Sequence, residues 1–301
     1  MSENLAVDNP HLLKSGHTAC AGCGQAIAAR AVIDVAGKNT MVVNNTGCLE
    51  VFTTKYPESS WAVPWIHSLF ENGSAVASGV EAALIHLKKK DGINVIAQGG
   101  DGSSADIGFG ALSGMLERGH DILYVCYDNE AYMNTGIQRS GLTPFETNTT
   151  TTPPGKNSHG NLKYKKPLPE ICLAHGIPYV ATATIAFLPD LQNKVKKALS
   201  IKGAKFIQVH VPCPLGWRHE SNMSFEVARL AVETGLYPIL EWTRDAEDNV
   251  VLNARQIKPK PVEEYLKVQG RFKHLLNSPD DIKLIQNIAN NNIKKYNLSA
   301  V

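Results

Sequence analysis

No apolar stretch in the 301 residues approaches the ~20 that a bilayer-spanning helix needs. The opening segment, MSENLAVDNPHLLKSGH, lacks the basic-then-apolar pattern of an export signal. The chain is therefore expected to be made and kept in the cytoplasm. Charge of one sign is also missing. With 30 Lys and Arg against 28 Asp and Glu, the net charge is +2, which makes no electrostatic case for nucleic acid or an anionic membrane as partner. Six cysteines in a chain of this size and compartment are not expected to be disulfide staples. Metal ligation, catalysis or plain burial must account for them. Internal repeats are absent, and the one low-complexity run is Thr149–Thr152. What is present, 43% hydrophobic and 19% charged residues, is the composition of an ordinary globular protein with a substantial core.

From about residue 24 the pattern alternates between helical and strand-like segments. GQAIAARAVIDVAG reads as a small-residue helix ending at Gly37, and NTMVVNN as a short buried strand. GSAVASGVEAALIHLKKK is a long helix whose closing lysines suit the negative end of its dipole. INVIAQ is a strand that breaks into Gly99-Gly100-Asp101-Gly102. Helix ADIGFGALSGMLERG and strand DILYVCYD follow, then helix PLPEICLAHG, strand PYVATATI, helix LPDLQNKVKKALSI and strand KFIQVHVP. This order predicts an α/β fold, a doubly wound parallel sheet with helices on both faces. The expected division is 1–217 for that domain, with its N-terminal cysteine segment. A C-terminal extension, 218–301, holds a helix at SFEVARLAVETG, a hairpin around DAEDN and further helices, and serves subunit contacts. Residues 133–166, rich in Thr, Pro, Gly and Asn, are too long for a simple connector, and such loops are usually functional.

The glycine turn carries the first chemical signal. A Gly-rich strand-to-helix turn aims backbone N–H groups and a helix N-terminus at an anion such as phosphate. The G-x-G-x-x-G spacing of a nicotinamide site is not met, because Gly100 and Gly102 are followed by Ser103, Ser104 and Ala105. Asp101 stands in the middle of the turn, and its carboxylate would repel a bare diphosphate. A bridging Mg²⁺, bound through hard oxygen ligands, resolves that conflict. A second ligand is expected from Asn129, at the end of the next strand in YDNEAYMNTG, since paired parallel strands end at one edge. The plain alternative is a tight turn with a strand-capping Asn. The cysteines give the second signal. Cys20-Ala-Gly-Cys23-Gly leads directly into a helix, Cys48 follows strand MVVNN, and Cys213 follows strand FIQVHV. Cys126 inside a strand and Cys172 on an apolar helix face read as small buried thiols. The other four fit a 4Fe-4S cluster or a structural zinc. Zinc ribbons usually show two C-x₂-C knuckles and only one is present, which favours the cluster.

The span from Gly100 to Asn129 resembles the Gly-Asp-Gly…Asn signature of thiamine-diphosphate enzymes. HTACAGCGQAIAAR, VVNNTGCLEV, PWIHSLFENGSAVASGVEAA, GGDGSSADIGFGALSGMLERGHDILYVCYDNEAYMNTGIQRSG and FIQVHVPCPLGWR together resemble the beta subunit of pyruvate:ferredoxin oxidoreductase, of the 2-oxoacid:ferredoxin oxidoreductase family. The resemblance runs from about Gly16 to Trp217 and on through PVEEYLKVQGRFKHL. It implies that Asp101, Asn129 and the carbonyl of Ala131 hold Mg²⁺, and that Cys20, Cys23, Cys48 and Cys213 hold the cluster nearest the thiamine. It also implies that Gln25, Cys48, Gly100, Asp101, Gly102, Ser103, Asn129, Ala131 and Asn134 line the cofactor site, with Asn134 near the reacting 2-oxo group. Some members carry Glu at the position of Gln25; an amide still hydrogen-bonds but brings no charge. Arg139 reads as a solvated loop Arg, with substrate carboxylate or coenzyme A phosphate as its alternative partner, and His17 and His67, near the motifs, read as structural.

The implied activity is conversion of pyruvate, coenzyme A and oxidised ferredoxin to acetyl-coenzyme A, CO₂ and reduced ferredoxin, or the reverse. Other 2-oxoacids, such as oxalate, 2-oxoglutarate or branched and aryl oxoacids, remain open. Outside enzymes, a zinc-stabilised nucleotide-binding module is the alternative. Two parts are missing from the sequence. There is no second domain to bring a Glu to the aminopyrimidine ring, and no C-x₂-C-x₂-C-x₃-C run to carry electrons outward. The expected partners are therefore a chain with the other thiamine half-site and a ferredoxin-like two-cluster chain, the first through an interface beyond about 2,000 Å².

Overall fold

The strands that read as continuous apolar runs lie at the centre of the structure. In the computed structural model, which describes residues 11–55 and 59–300, β4 (Leu123–Asp128), β5 (Tyr179–Thr184) and β6 (Lys205–His210) are buried at every position. They join β1 (Thr40–Asn45), β2 (Trp65–Ser68) and β3 (Asn94–Gly100) in parallel. Two further strands, β7 (Leu240–Arg244) and β8 (Val250–Ala254), are antiparallel and complete the order β2-β1-β3-β4-β6-β5-β7-β8.

Neighbouring side chains on each strand serve opposite faces. Val43, Val95, Tyr124, Cys126 and Phe206 face one core, and Val42, Ile96, Val125, Tyr127 and Ile207 face the other. The second core is covered by α1 (Gly24–Ala36) and α6 (Leu188–Ser200), and α2 (Cys48–Thr53) lies beside it. The first is covered by α3 (Gly73–His86), α4 (Phe109–Glu117) and α5 (Leu168–Leu173). α7 (Pro214–Trp217) follows β6. Then α8 (Ser224–Glu233), α9 (Glu263–Leu266) and α10 (Pro279–Lys295) contribute Val227, Leu266, Ile285 and Ala289 to that same first core. Residues 218–300 thus extend the sheet by the β7–β8 hairpin and share the core of the parallel part.

Three local departures from the sequence reading have physical causes. The long Ala-rich helix stops at His86 instead of running through Lys90. Lys88 takes a left-handed φ of 57°, and Lys89 N–H donates to Leu84 O at 2.8 Å while Lys88 N–H donates to Ile85 O at 3.0 Å. That is a Schellman closure with Lys in the position usually held by Gly. Second, the helix after the glycine turn opens with a π turn over Ser103–Ile107, closed by Gly108 N–H on Ser103 O at 3.0 Å. A Cβ on Gly108 would sit 2.2 Å from that oxygen, so the wide turn depends on glycine there. Third, α2 and β2 form where the sequence shows no periodic pattern. Each is short, and β2 is an edge strand with two of its four residues exposed. The 133–166 segment contains no named helix or strand, as expected of a loop.

The start of α1 is pinned to the exit of β6. Gly24 N–H donates to Pro212 O at 3.1 Å, and a Cβ on Gly24 would lie 2.8–2.9 Å from backbone atoms of Val211 and Pro212. Backbone cannot give way as a side-chain tip can. Gly24→Ala is expected to destabilise by about 1–3 kcal/mol. Gly110→Ala, in α4 with nothing within 4 Å of the added carbon, is expected to be neutral or to stabilise by about 0.4–1 kcal/mol. Chemical denaturation of the two variants checks the contrast in sign.

Candidate active site

β1, β3, β4 and β6 run the same way, so the chain leaves the sheet at one edge after each of them. Asp101 follows β3, Asn129 follows β4, Cys48 comes just after β1 and Cys213 just after β6. The direct pairing of β3 and β4, with Gly100 opposite Tyr127, fixes Asp101 beside Asn129.

The Asp101 carboxylate is 1% exposed. Burial and the neighbouring Asp128 push its pKa well above the usual range, against a hydrogen bond from Ser140 Oγ to its Oδ2. Asn129 Oδ1 lies 3.0 Å from Asp101 Oδ1 and 2.8 Å from Ala131 O, so that three oxygens meet. Turning the Asn129 amide over would place NH₂ there and make two hydrogen bonds. Left as oxygens, Asn129 stands from each of the other two at the spacing of adjacent ligands on an octahedral Mg²⁺, about 2.9 Å for bonds of 2.0–2.1 Å. The donor set therefore fits a hard cation. A cleft opens above it, lined by Gln25, Thr46, Gly47, Phe70, Gly100, Gly102, Ser103, Asn134 and Thr135 beside the three oxygen residues. Gln25 is buried, and its Oε1 has no hydrogen-bond partner, an acceptor left over for a ligand. The helical turn that starts at Asp101 leaves its first N–H groups available to an anion. Cys48 does not line this cleft, although Thr46 and Gly47 before it do.

The four sequence-selected cysteines sit at this edge and share a setting. Cys23 caps the N-terminus of α1, Cys48 is the first residue of α2, and Cys213 caps α7 and accepts from Gly216 N–H at 3.4 Å. Helix N-termini favour thiolate. Burial nevertheless raises all three thiols, Cys48 to about 12 and Cys213 to about 11, and each is raised further by others of the four. Cys20, exposed, belongs to the same mutual set. No three of these sulfurs come within 4.8 Å of one another among the described residues. Sulfur ligands of one tetrahedral zinc lie about 3.8 Å apart at 2.3 Å bonds, closer together than any three of these sulfurs stand. Cys126 and Cys172 are fully buried in the core, as expected. Arg139 takes a loop contact, its backbone N–H donating to Thr151 Oγ1 at 2.9 Å. His17 lies against Arg30, and His67 meets Thr46 Oγ1.

No local sequence pattern marks what stands behind the Asn129 loop. Lys165 Nζ reaches Asp128 and Glu130, each at 2.7 Å, and Arg271 reaches Glu130 at 2.6 Å. Burial opposes ionisation of Glu130, but Lys165 and Arg271 hold it down at about 2. The Arg271 guanidinium also stacks 3.7 Å from the Trp217 ring, and Trp217 Nε1 donates to Asn129 O at 2.8 Å. Two anions and two cations thus neutralise one another under the oxygen triad. Removing one partner strands the rest, so Arg271→Ala is expected to cost about 3–5 kcal/mol, measured by chemical denaturation.

Residues 45–209 match the family model of the thiamine pyrophosphate enzyme C-terminal TPP binding domain. The chain is 56% identical to pyruvate synthase subunit PorB of Methanosarcina barkeri, covering 95% of this chain and 97% of that one. It is 57% identical to the subunit of the same name from Methanocaldococcus jannaschii, covering 90% and 91%. Ketoisovalerate oxidoreductase subunit VorB of Pyrococcus furiosus is 46% identical, covering 90% and 88%. Among solved structures, 2-oxoglutarate:ferredoxin oxidoreductase from Magnetococcus marinus shares the fold with a TM-score of 0.58 at 21% identity, over 75% of this chain and 82% of that one. The parallel sheet, the Asp101–Asn129 edge and relatives matched along nearly their whole length lead to one assignment: the chain belongs to the beta-subunit family of the pyruvate synthases, oxidoreductases that act on 2-oxoacids.

Proposed function

We propose that this chain is the subunit of a pyruvate synthase that holds thiamine diphosphate, its Mg²⁺ and the adjacent 4Fe-4S cluster. The assembled enzyme converts pyruvate, coenzyme A and oxidised ferredoxin to acetyl-coenzyme A, CO₂ and reduced ferredoxin, or runs the reverse. One observation carries the reading: an oxygen triad spaced for Mg²⁺ and an open set of four thiols stand at the same sheet edge. When bound, thiamine diphosphate supplies the electron sink for decarboxylation of a 2-oxoacid. The residues of the chain supply the setting. Asp101, Asn129 and Ala131 would hold the cation, and Gly100, Gly102 and Ser103 would present the helix start to the diphosphate. Gln25 Oε1 is a free acceptor for the cofactor, and exposed Asn134 lies at the cleft where substrate would approach. Cys20, Cys23, Cys48 and Cys213 would ligate the cluster as thiolates, a state that the raised pKa values of Cys23, Cys48 and Cys213 reserve for the metal-bound form. The wide spacing of the sulfurs supports a cube over a single zinc ion.

The partners in this reading are a chain with the aminopyrimidine half-site and a two-cluster ferredoxin-like chain. The subunit alone is then expected to turn over no pyruvate with thiamine diphosphate and Mg²⁺ supplied, and adding the first partner to restore decarboxylation. A 46% identical relative is named for ketoisovalerate, so the substrate is tested by comparing 2-oxoacids in coenzyme-A-dependent ferredoxin reduction by the assembled enzyme. Preference for another 2-oxoacid would correct the substrate and leave the site intact.

Two sets of variants test the ligands. Asp101→Ala is expected to abolish Mg²⁺-dependent cofactor binding and spare the iron–sulfur spectrum; retained cofactor affinity would sink the Mg²⁺ assignment. Ser at Cys20, Cys23, Cys48 or Cys213 is expected to lose or alter the cluster. Ser at Cys126 or Cys172 should cost only about 1–3 kcal/mol of stability. Iron, sulfide and zinc content read the result directly.

A further inference from the structure

Away from the sheet edge, Glu146, His159 and Asp281 each offer one ligand atom, and the three atoms lie within 4.8 Å of one another. Glu146 and His159 belong to the long loop, and Asp281 to the first turn of α10. The loop backbone forces the meeting. Glu146 N–H donates to Asn161 O at 2.6 Å, and Asn161 N–H to Thr147 O at 3.0 Å. Gly160, at φ 105°, lies so close that a Cβ would stand 2.6 Å from Glu146 O. On the other side His159 Nδ1 is 2.9 Å from Asp281 Oδ2, and His159 O accepts from His274 Nε2 at 2.9 Å.

Glu146 is 3% exposed, yet its buried Oε2 has no hydrogen-bond partner. Two carboxylates this close need a proton or a cation between them. With no cation, burial and Asp281 push Glu146 up to about 7. The His159 side chain is 60% exposed, which leaves a way in from solvent.

We propose that Glu146, His159 and Asp281 bind one divalent transition-metal ion that fastens the long loop to α10. Two carboxylates and an imidazole suit the Mn²⁺, Fe²⁺ and Zn²⁺ class, whereas Mg²⁺ and Ca²⁺ favour oxygen alone. Water completes the shell on the exposed side. The same loop carries Ser140, which donates to Asp101, and Asn134 at the cleft, so the ion restrains the far end of the segment that lines the active site.

The test counts Mn²⁺ bound to the full chain in its native assembly, by electron paramagnetic resonance after anaerobic dialysis, as the difference between wild type and variants. That difference does not depend on what the other centres hold. Wild type is expected to bind one Mn²⁺ per chain more than His159→Ala or Glu146→Gln, whose uptake at this site should be weaker by at least about tenfold. Glu146→Gln keeps the shape of the side chain and serves if His159→Ala misfolds. Equal Mn²⁺ and Zn²⁺ uptake by wild type and Glu146→Gln overturns the proposal. The two carboxyls would then merely share a proton, and Glu146→Gln would raise the melting temperature.

Discussion

The constraint on which the structure depends is strand direction. β1, β3, β4 and β6 lie parallel, so four exits of the chain open on one edge of the sheet. A parallel sheet must be buried on both faces, so a polar group there needs a partner within the protein, as Gln208 finds in Asp128 at 2.7 Å. The edge where the strands end is the place left for chemistry. That single arrangement brings together an aspartate, an asparagine and two distant cysteines from four separate parts of the sequence, and the Gly24–Pro212 contact adds the C-x₂-C pair.

Much of this was legible because each residue sits next to an element that declares itself. Asp101 follows an apolar strand and opens a helix, Asn129 closes the next strand, and Cys48 and Cys213 each trail a β-branched run. Once the strands are read as parallel, the edge follows without knowledge of side-chain positions. What was not legible depends on contacts far apart in sequence or on single hydrogen bonds. The Arg271–Glu130 pair spans 141 positions, and no periodicity marks either end. The π turn at Ser103 rests on one wide bond and on the absence of a Cβ at Gly108. The halt of α3 at His86 comes from a left-handed lysine, which propensity disfavours.

The energetic logic of the edge is unequal on its two sides. Under the oxygen triad, charge is compensated within the protein by Lys165 and Arg271, so the loop that carries Asn129 is fixed before any ligand arrives. Glu130 takes a left-handed φ of 67° there, a backbone state held in place by two salt bridges. Asp101 is left uncompensated: its partner is the Ser140 hydroxyl, and no cation of the chain reaches it by a salt bridge among the described residues. A carboxylate buried without a counter-charge is costly unless a cation supplies it. The same asymmetry holds for the thiols of Cys23, Cys48 and Cys213, which helix N-termini favour as anions and burial disfavours.

The two sides are joined by one short helix. Cys213 caps α7, and Trp217 ends it, four residues on from Cys213. Trp217 is fully buried, its indole N–H holds the Asn129 carbonyl, and its ring lies against Arg271. A displacement of α7 therefore cannot move the thiol without also moving the backbone beside the oxygen triad. Close packing makes that coupling stiff, since a buried Trp has no free volume in which to absorb a shift. If the thiols and the oxygens hold the cluster and the cation, the distance between the two centres is set by the Trp217–Asn129 hydrogen bond and the ring stacked on Arg271. Both contacts lie outside the 133–166 loop.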